Sequence, residues 1–289
     1  MSAVATDILT SRSVKMVVRG QATSDGAGVN LVRLFPSQEL EMLDPFLLLD
    51  AFSSNDPDDY IAGFPPHPHR GFETVTYLLQ GNMRHKDSAG HEGLLRSGGV
   101  QWMTAGSGIE HSEMPEQQDG LMSGFQLWLN LPAAQKMNPP RYQEFEPEQI
   151  PLEELGDGTV IRVIAGTTSR GTVGAVTQIA AQPIYFDVSL PAGGSFHQPI
   201  PAGHNAFVKM IEGRLAVDHE ELVSGSLAVL GEGDQLEADA REEGARFLLI
   251  AGKPFNEPVA RSGPFVMNSD EEIRQAYADY HEGLFGKVE

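Results

Sequence analysis

Glycine and proline cut the sequence into short apolar runs, and that punctuation constrains the fold more than any other feature. With 31 Gly and 19 Pro among 289 residues, few stretches are long enough for an ordinary helix. Glycine supplies left-handed backbone for tight turns, and proline removes a backbone donor. The runs left between them, about five to eight residues each, have the length of β-strands. One series covers 14–19, 30–35, 72–79, 100–104 and 125–131. A second covers 159–165, 184–190, 206–211, 227–230 and 247–251. Many short strands joined by turns indicate a β-sandwich or a small barrel.

Between the two series lies 131–151, with Pro132, Pro139, Pro140, Pro147 and Pro151 beside Glu144, Glu146 and Glu148. This proline-rich, acidic segment reads as a linker. The expected division is 1–135, 136–265 and a C-terminal helix within 266–289. That helix has its own signals. Ser269 with Glu272 fits a capping box, and Ile273, Ala276, Tyr277 and Tyr280 form one apolar stripe. Gly283 is placed to end it. The two strand series also look like an internal repeat: TVTYLLQG (74–81) can be laid over AFVKMIEG (206–213). One barrel duplicated fills this length.

The charge excludes some partners. Forty acidic against 20 basic residues give a net −20. That disfavours tracking a nucleic-acid backbone or an anionic membrane surface, and reads as a solvated exterior. The longest apolar stretch, 45–49, is too short to span a bilayer. The first residues lack a signal-peptide pattern. The expected location is cytoplasmic, or nuclear in a eukaryote. There is no cysteine, which removes disulfides, a thiolate nucleophile, iron–sulfur clusters and Cys-type zinc sites.

Any metal must therefore be held by His, Asp or Glu, and five of the nine histidines fall between 67 and 111. His67 and His69 are two apart, so in a strand they share a face. His111 and Glu113 repeat that spacing after a glycine-rich turn. Continuing the parity of His67 and His69 puts Glu73, Val75, Tyr77 and Leu79 on the same face, unless Gly71 breaks the register. Glu73 reads as a residue supporting the ligands from behind or as a polar residue at the rim, with a place among the ligands left open. His85 and His91 read as an exposed hairpin. Arg70 is open between the surface and a carboxylate partner, and Trp102 and Met103 read as core. His197 and His204 read as structural or solvated.

The segments HPHRGFETVTYLLQG (67–81) and VQWMTAGSGIEHSEMP (100–115) closely resemble the pirin family of the cupin superfamily. LDPFLLLDAF (43–52) and GPFVMNSDEEIRQA (263–276) are similar to it as well. The resemblance implies a bicupin: two antiparallel jelly-roll-like β-barrels packed together, with a short C-terminal helix. It implies one divalent metal in the N-terminal barrel, held by His67, His69, His111 and Glu113, and a C-terminal barrel without ligands. Iron(II) is the expected ion, with Mn, Co, Ni, Cu or Zn as alternatives.

The implied activity is that of a quercetin 2,3-dioxygenase. A flavonol-like substrate reacts with O₂, its ring opens and CO is released. Glu113 takes the 3-hydroxyl proton, and Val75, Tyr77, Trp102 and Phe125 are expected on the pocket wall. The alternative the family offers is an iron-binding regulatory or adaptor protein that acts through protein contacts rather than on DNA.

Overall fold

A computed structural model describes residues 9–285 as strands joined by short loops, with a single α-helix, Asp270–His281. Contacts divide the chain into two compact units, each made of separate segments. Within the described residues, the first unit contains 20–150, 178–181 and 254–285. The second contains 9–19, 151–177 and 182–253.

This division does not follow the expected boundaries, for two reasons of strand pairing. The 131–151 segment is not a free linker. Its residues Arg141–Phe145 form an edge strand antiparallel to Val100–Thr104, so 131–150 stay with the first unit. At the other end, Val14–Val18 pairs with Leu227–Leu230 and so belongs to the second unit.

In the first unit a seven-stranded sheet has at its centre Phe72–Gln80, Met122–Asn130 and Phe46–Ser54. Beyond them lie Val100–Thr104 and Arg141–Phe145 on one side, and Val29–Phe35 and Gln21–Asp25 on the other. A four-stranded sheet runs Phe64–His69, Ile109–Pro115, Asn82–Asp87, Glu92–Arg96. Neighbours in it are antiparallel.

The register of the larger sheet sorts its side chains into two faces. Thr76 is opposite Gln126, which is opposite Asp50, while Thr74 is opposite Trp128, which is opposite Leu48. These share one face, because paired residues in adjacent strands point the same way. Val75, Leu127, Leu49 and Trp102 are paired in turn and share the other. Both faces are largely buried, so the central strands bury nearly every position, apolar along Phe46–Leu49 but with Glu73, Thr74 and Thr76 among the buried residues of Phe72–Gln80. Phe46 and Phe72 are completely buried; burying each contributes about 1.5–3 kcal/mol.

The second unit is a nine-stranded sheet whose two longest strands, Asn205–Val217 and Gln235–Gly252, pair along most of their length. Its interior is filled by Phe186, Val188, Phe196, Val208, Met210, Phe247 and their neighbours. The C-terminal helix follows its sequence signals. The Ser269 hydroxyl accepts the N–H of Glu272, Ile273 and Ala276 are buried, and Gly283 follows the last turn with φ +67°. Phe265 and Met267 pack against that helix. Among the described residues no helix is long and apolar enough to cross a membrane.

Candidate metal centre

The Phe64–His69 and Ile109–Pro115 strands are neighbours, and their register sets His111 opposite His67 and Ile109 opposite His69. His67 and His69 share a face by the two-residue repeat, and His111 joins them from across the ladder. The three rings meet with centroids 4.7 Å (His67–His69), 4.5 Å (His67–His111) and 5.0 Å (His69–His111) apart. One nitrogen from each lies within 4.8 Å of the others.

Hydrogen bonds orient two of the rings. His67 Nδ1 is 2.8 Å from the Pro65 carbonyl, and His69 Nδ1 is 3.3 Å from the Pro264 carbonyl. An Nδ1–H donated to a carbonyl leaves Nε2 as the free lone pair, the usual arrangement behind a metal-binding imidazole. Burial lowers the pKa of His69 and His111 well below the ordinary value, and the nearby imidazoles lower it further. Both are therefore neutral at pH 7. His111 is buried, yet neither of its ring nitrogens has a hydrogen-bond partner. Buried polar atoms are normally paired; an unpaired nitrogen facing two further imidazoles fits a cation.

The cluster is at the wall of a cavity of about 500 Å³ in the first unit, a size suited to a small organic ligand. Leu31, Leu48, Phe52, Phe64, Met83 and Trp128 provide apolar walls, and Thr76, Gln126 and Glu113 a polar patch. Trp128 stands edge-on to His69, 5.2 Å away, and Phe72 packs beneath both.

Comparison with known proteins decides the family. The Pirin profile matches residues 28–129, and the profile of the Pirin C-terminal cupin domain matches 185–286. The chain belongs to the pirin family. A pirin-like protein of Caulobacter vibrioides is 51% identical over 274 residues, which cover 95% of this chain and 99% of that protein. Human pirin is 40% identical over 284 residues, covering 96% and 94%. A crystal structure of quercetin 2,3-dioxygenase from Acinetobacter baumannii superposes with a TM-score of 0.87. It is 36% identical and covers 97% of this chain and all of its own.

Within this pirin the fourth residue taken from the family pattern, Glu113, is buried and lines the same cavity, but it does not join the three imidazoles within 4.8 Å. Its Oε1 is 2.7 Å from the Thr76 hydroxyl, and its Oε2 accepts from Gln126 Nε2 at 3.2 Å. Neither Thr76 nor Gln126 stands out in the sequence. Their role follows from facing Glu113 across the two sheets.

Several expected placements are corrected. Glu73, Val75, Tyr77, Trp102 and Phe125 do not line the cavity. They share the opposite face of the seven-stranded sheet, by the pairings of Glu73 with Thr104, Val75 with Trp102 and Tyr77 with Phe125. The cause is Gly71. Its φ of +87° ends one strand and starts the next in a different sheet, so the parity of His67 and His69 is not carried forward. Burial pushes the Glu73 carboxyl up to about 7, against the lowering effect of the Thr104 hydroxyl bonded to its Oε1.

His85 is not on an exposed hairpin. It is an inward residue of Asn82–Asp87, buried against Glu144 and Tyr142. His91 is the exposed member, its Nδ1 2.9 Å from Asp87. Arg70 is also buried: it pairs with Asp279 of the C-terminal helix at 2.6 Å and donates to the Ser107 carbonyl. Lys136 escaped notice within its proline-rich segment. Its ammonium is buried and donates to the carbonyls of Gly71 and Val266 and to Asn130 Oδ1.

In the second unit His197 bonds Gln235, and His204 Nε2 faces the Gln182 carbonyl at 3.2 Å. No second group of converging ligands occurs among the described residues.

Proposed function

We propose that this chain is an oxygenase of the quercetin 2,3-dioxygenase type, which opens a flavonol ring with O₂ and releases CO. The metal would be iron(II), held by the imidazoles of His67, His69 and His111, with Glu113 as the fourth ligand taken from the family pattern. One observation carries this reading. Three imidazoles converge, one with both nitrogens unpaired, and two of them, His67 and His69, line a cavity with mostly apolar walls. Three imidazoles and a carboxylate suit a non-haem ion that keeps open positions. When bound, that ion supplies Lewis acidity and redox capacity that no side chain here has.

The protein's own part is positioning and proton handling. Phe52, Phe64 and Trp128 offer aromatic surfaces to a planar ligand and exclude water from it. Glu113 takes the proton of the substrate's 3-hydroxyl, and Gln126 holds the carboxylate by its Oε2. The Pro65 and Pro264 carbonyls keep His67 and His69 in one tautomer.

The chain's similarity to a solved quercetin 2,3-dioxygenase supports the reading. Its test is O₂ uptake with quercetin by iron-loaded protein. Wild type is expected to consume O₂, and His69→Ala is not. Equal rates from the two proteins refute the assignment.

A further inference from the structure

Arg261 faces the same cavity and has no part in the chemistry above. It arrives on the short strand Ala260–Ser262, in the segment that returns to the first unit at the end of the chain. Its guanidinium carbon stands 4.8 Å over the ring of Trp128. That ring is in turn 5.2 Å from the ring of His69. Laid end to end, the two separations bound the distance from His69 to the guanidinium at about 10 Å. Arg261, Trp128, His69 and His67 all line one cavity.

The guanidinium is under-used. One of its amines donates to the Leu47 carbonyl at 3.2 Å, and no carboxylate lies within ion-pair distance of it among the described residues. The nearby Arg33 is in the opposite condition. It takes both oxygens of Asp50, at 2.8 and 2.7 Å, and one of Asp25 at 2.7 Å. The acidic groups whose charge reaches Arg261 are thus already engaged by Arg33. Stacking on an indole face holds a guanidinium flat and leaves its N–H edge available, and that edge matches a carboxylate bidentately. In a chain of net charge −20, a cation without a carboxylate partner in the binding cavity is a local selector for an anion.

We propose that Arg261 sets the substrate class: a planar aromatic with an anionic oxygen group, carboxylate or ionised phenol, at the end remote from its metal-binding oxygens. The aromatic body spans from the three-histidine cluster past Trp128, and the anionic end meets Arg261. This rests on the metal-site reading given under the proposed function, and adds to it a specificity-determining residue.

The test uses matched probes, a 3-hydroxyflavone bearing a carboxylate on its fused ring and the methyl ester of that compound. Binding to iron-loaded protein under nitrogen is followed by quenching of tryptophan fluorescence, so no turnover is needed. Wild type is expected to bind the acid about tenfold more tightly than the ester. In Arg261→Gln the acid weakens about tenfold and the ester changes much less, while Arg261→Lys keeps part of the preference. An equal preference in wild type and Arg261→Gln overturns the proposal. So does a wild type that binds acid and ester alike, or neither. O₂ uptake, measured separately, tells this failure from that of the dioxygenase reading. A charge preference lost in Arg261→Gln without O₂ uptake supports Arg261 and contradicts the activity. Uptake with equal affinities does the reverse.

Discussion

Replacing Glu73 by Gln separates the two faces of the seven-stranded sheet in one experiment. Glu73 is 2% exposed. Burial holds its carboxyl at about 7 in the folded protein, against an ordinary 4.5. A raised acid binds its proton more tightly when folded, so its contribution to stability is lost as pH rises from 4.5 through 7. A difference of about 2.5 pH units, at about 1.4 kcal/mol each, amounts to about 3.5 kcal/mol in full, of which about 3 kcal/mol falls above pH 4.5.

Glu73→Gln cannot ionise and does not share that loss. Urea unfolding of metal-free protein at pH 4.5 and pH 8, followed by tryptophan fluorescence, measures it. Both tryptophans, Trp102 and Trp128, lie in the first unit and report on it. The stability of the variant relative to wild type is expected to rise by about 3 kcal/mol between the two pH values. Any fixed cost of the new amide is the same at both and cancels, as does the titration of His69 and His111. The variant is also expected to bind metal as wild type does, because Glu73 faces away from the imidazoles. Parallel pH curves refute the burial argument, and loss of metal refutes the face assignment.

Two more predictions concern the supports of the site. In Gly71→Ala a Cβ would meet the Val266 carbonyl oxygen at 2.0 Å, on a backbone at φ +87°. The variant should melt well below wild type and bind metal more weakly, because His69 lies two residues before the strained position; thermal unfolding and metal titration check both. Lys136→Met removes the donor from three buried acceptors and should cost about 2–4 kcal/mol by urea unfolding at pH 7. Burial lowers the Lys136 ammonium to about 8, so wild-type stability from this group rises with pH between about 8 and 10.5, and the variant should lack that rise.

Much of the site was legible because two-residue spacing is a property of any strand. His67 with His69, and His111 with Glu113, needed only to lie in strands to share a face. The absence of cysteine sharpened this by confining metal binding to imidazole and carboxylate. Parity failed at Gly71, where left-handed backbone moves the chain into another sheet and sends Glu73 to the wrong side of it. Residues that act across long separations were out of reach as well. His85 meets Glu144, Arg70 meets Asp279, and Arg261 returns over Trp128. No local pattern in the chain encodes such meetings. The proline-rich 131–151 segment misled for a related reason: an edge strand with sparse apolar content looks like a linker until its partner strand is known.

The central claim is that His67, His69 and His111 hold a metal ion. Metal analysis of protein purified anaerobically without an affinity tag, together with X-ray absorption at the edge of the metal found, tests it most directly. About one equivalent per chain is expected, with three imidazole nitrogens in the first coordination sphere, and less than a tenth of that in His111→Ala. A wild-type protein that carries no metal and takes none up on titration, or one whose metal is unaffected by His111→Ala, contradicts it.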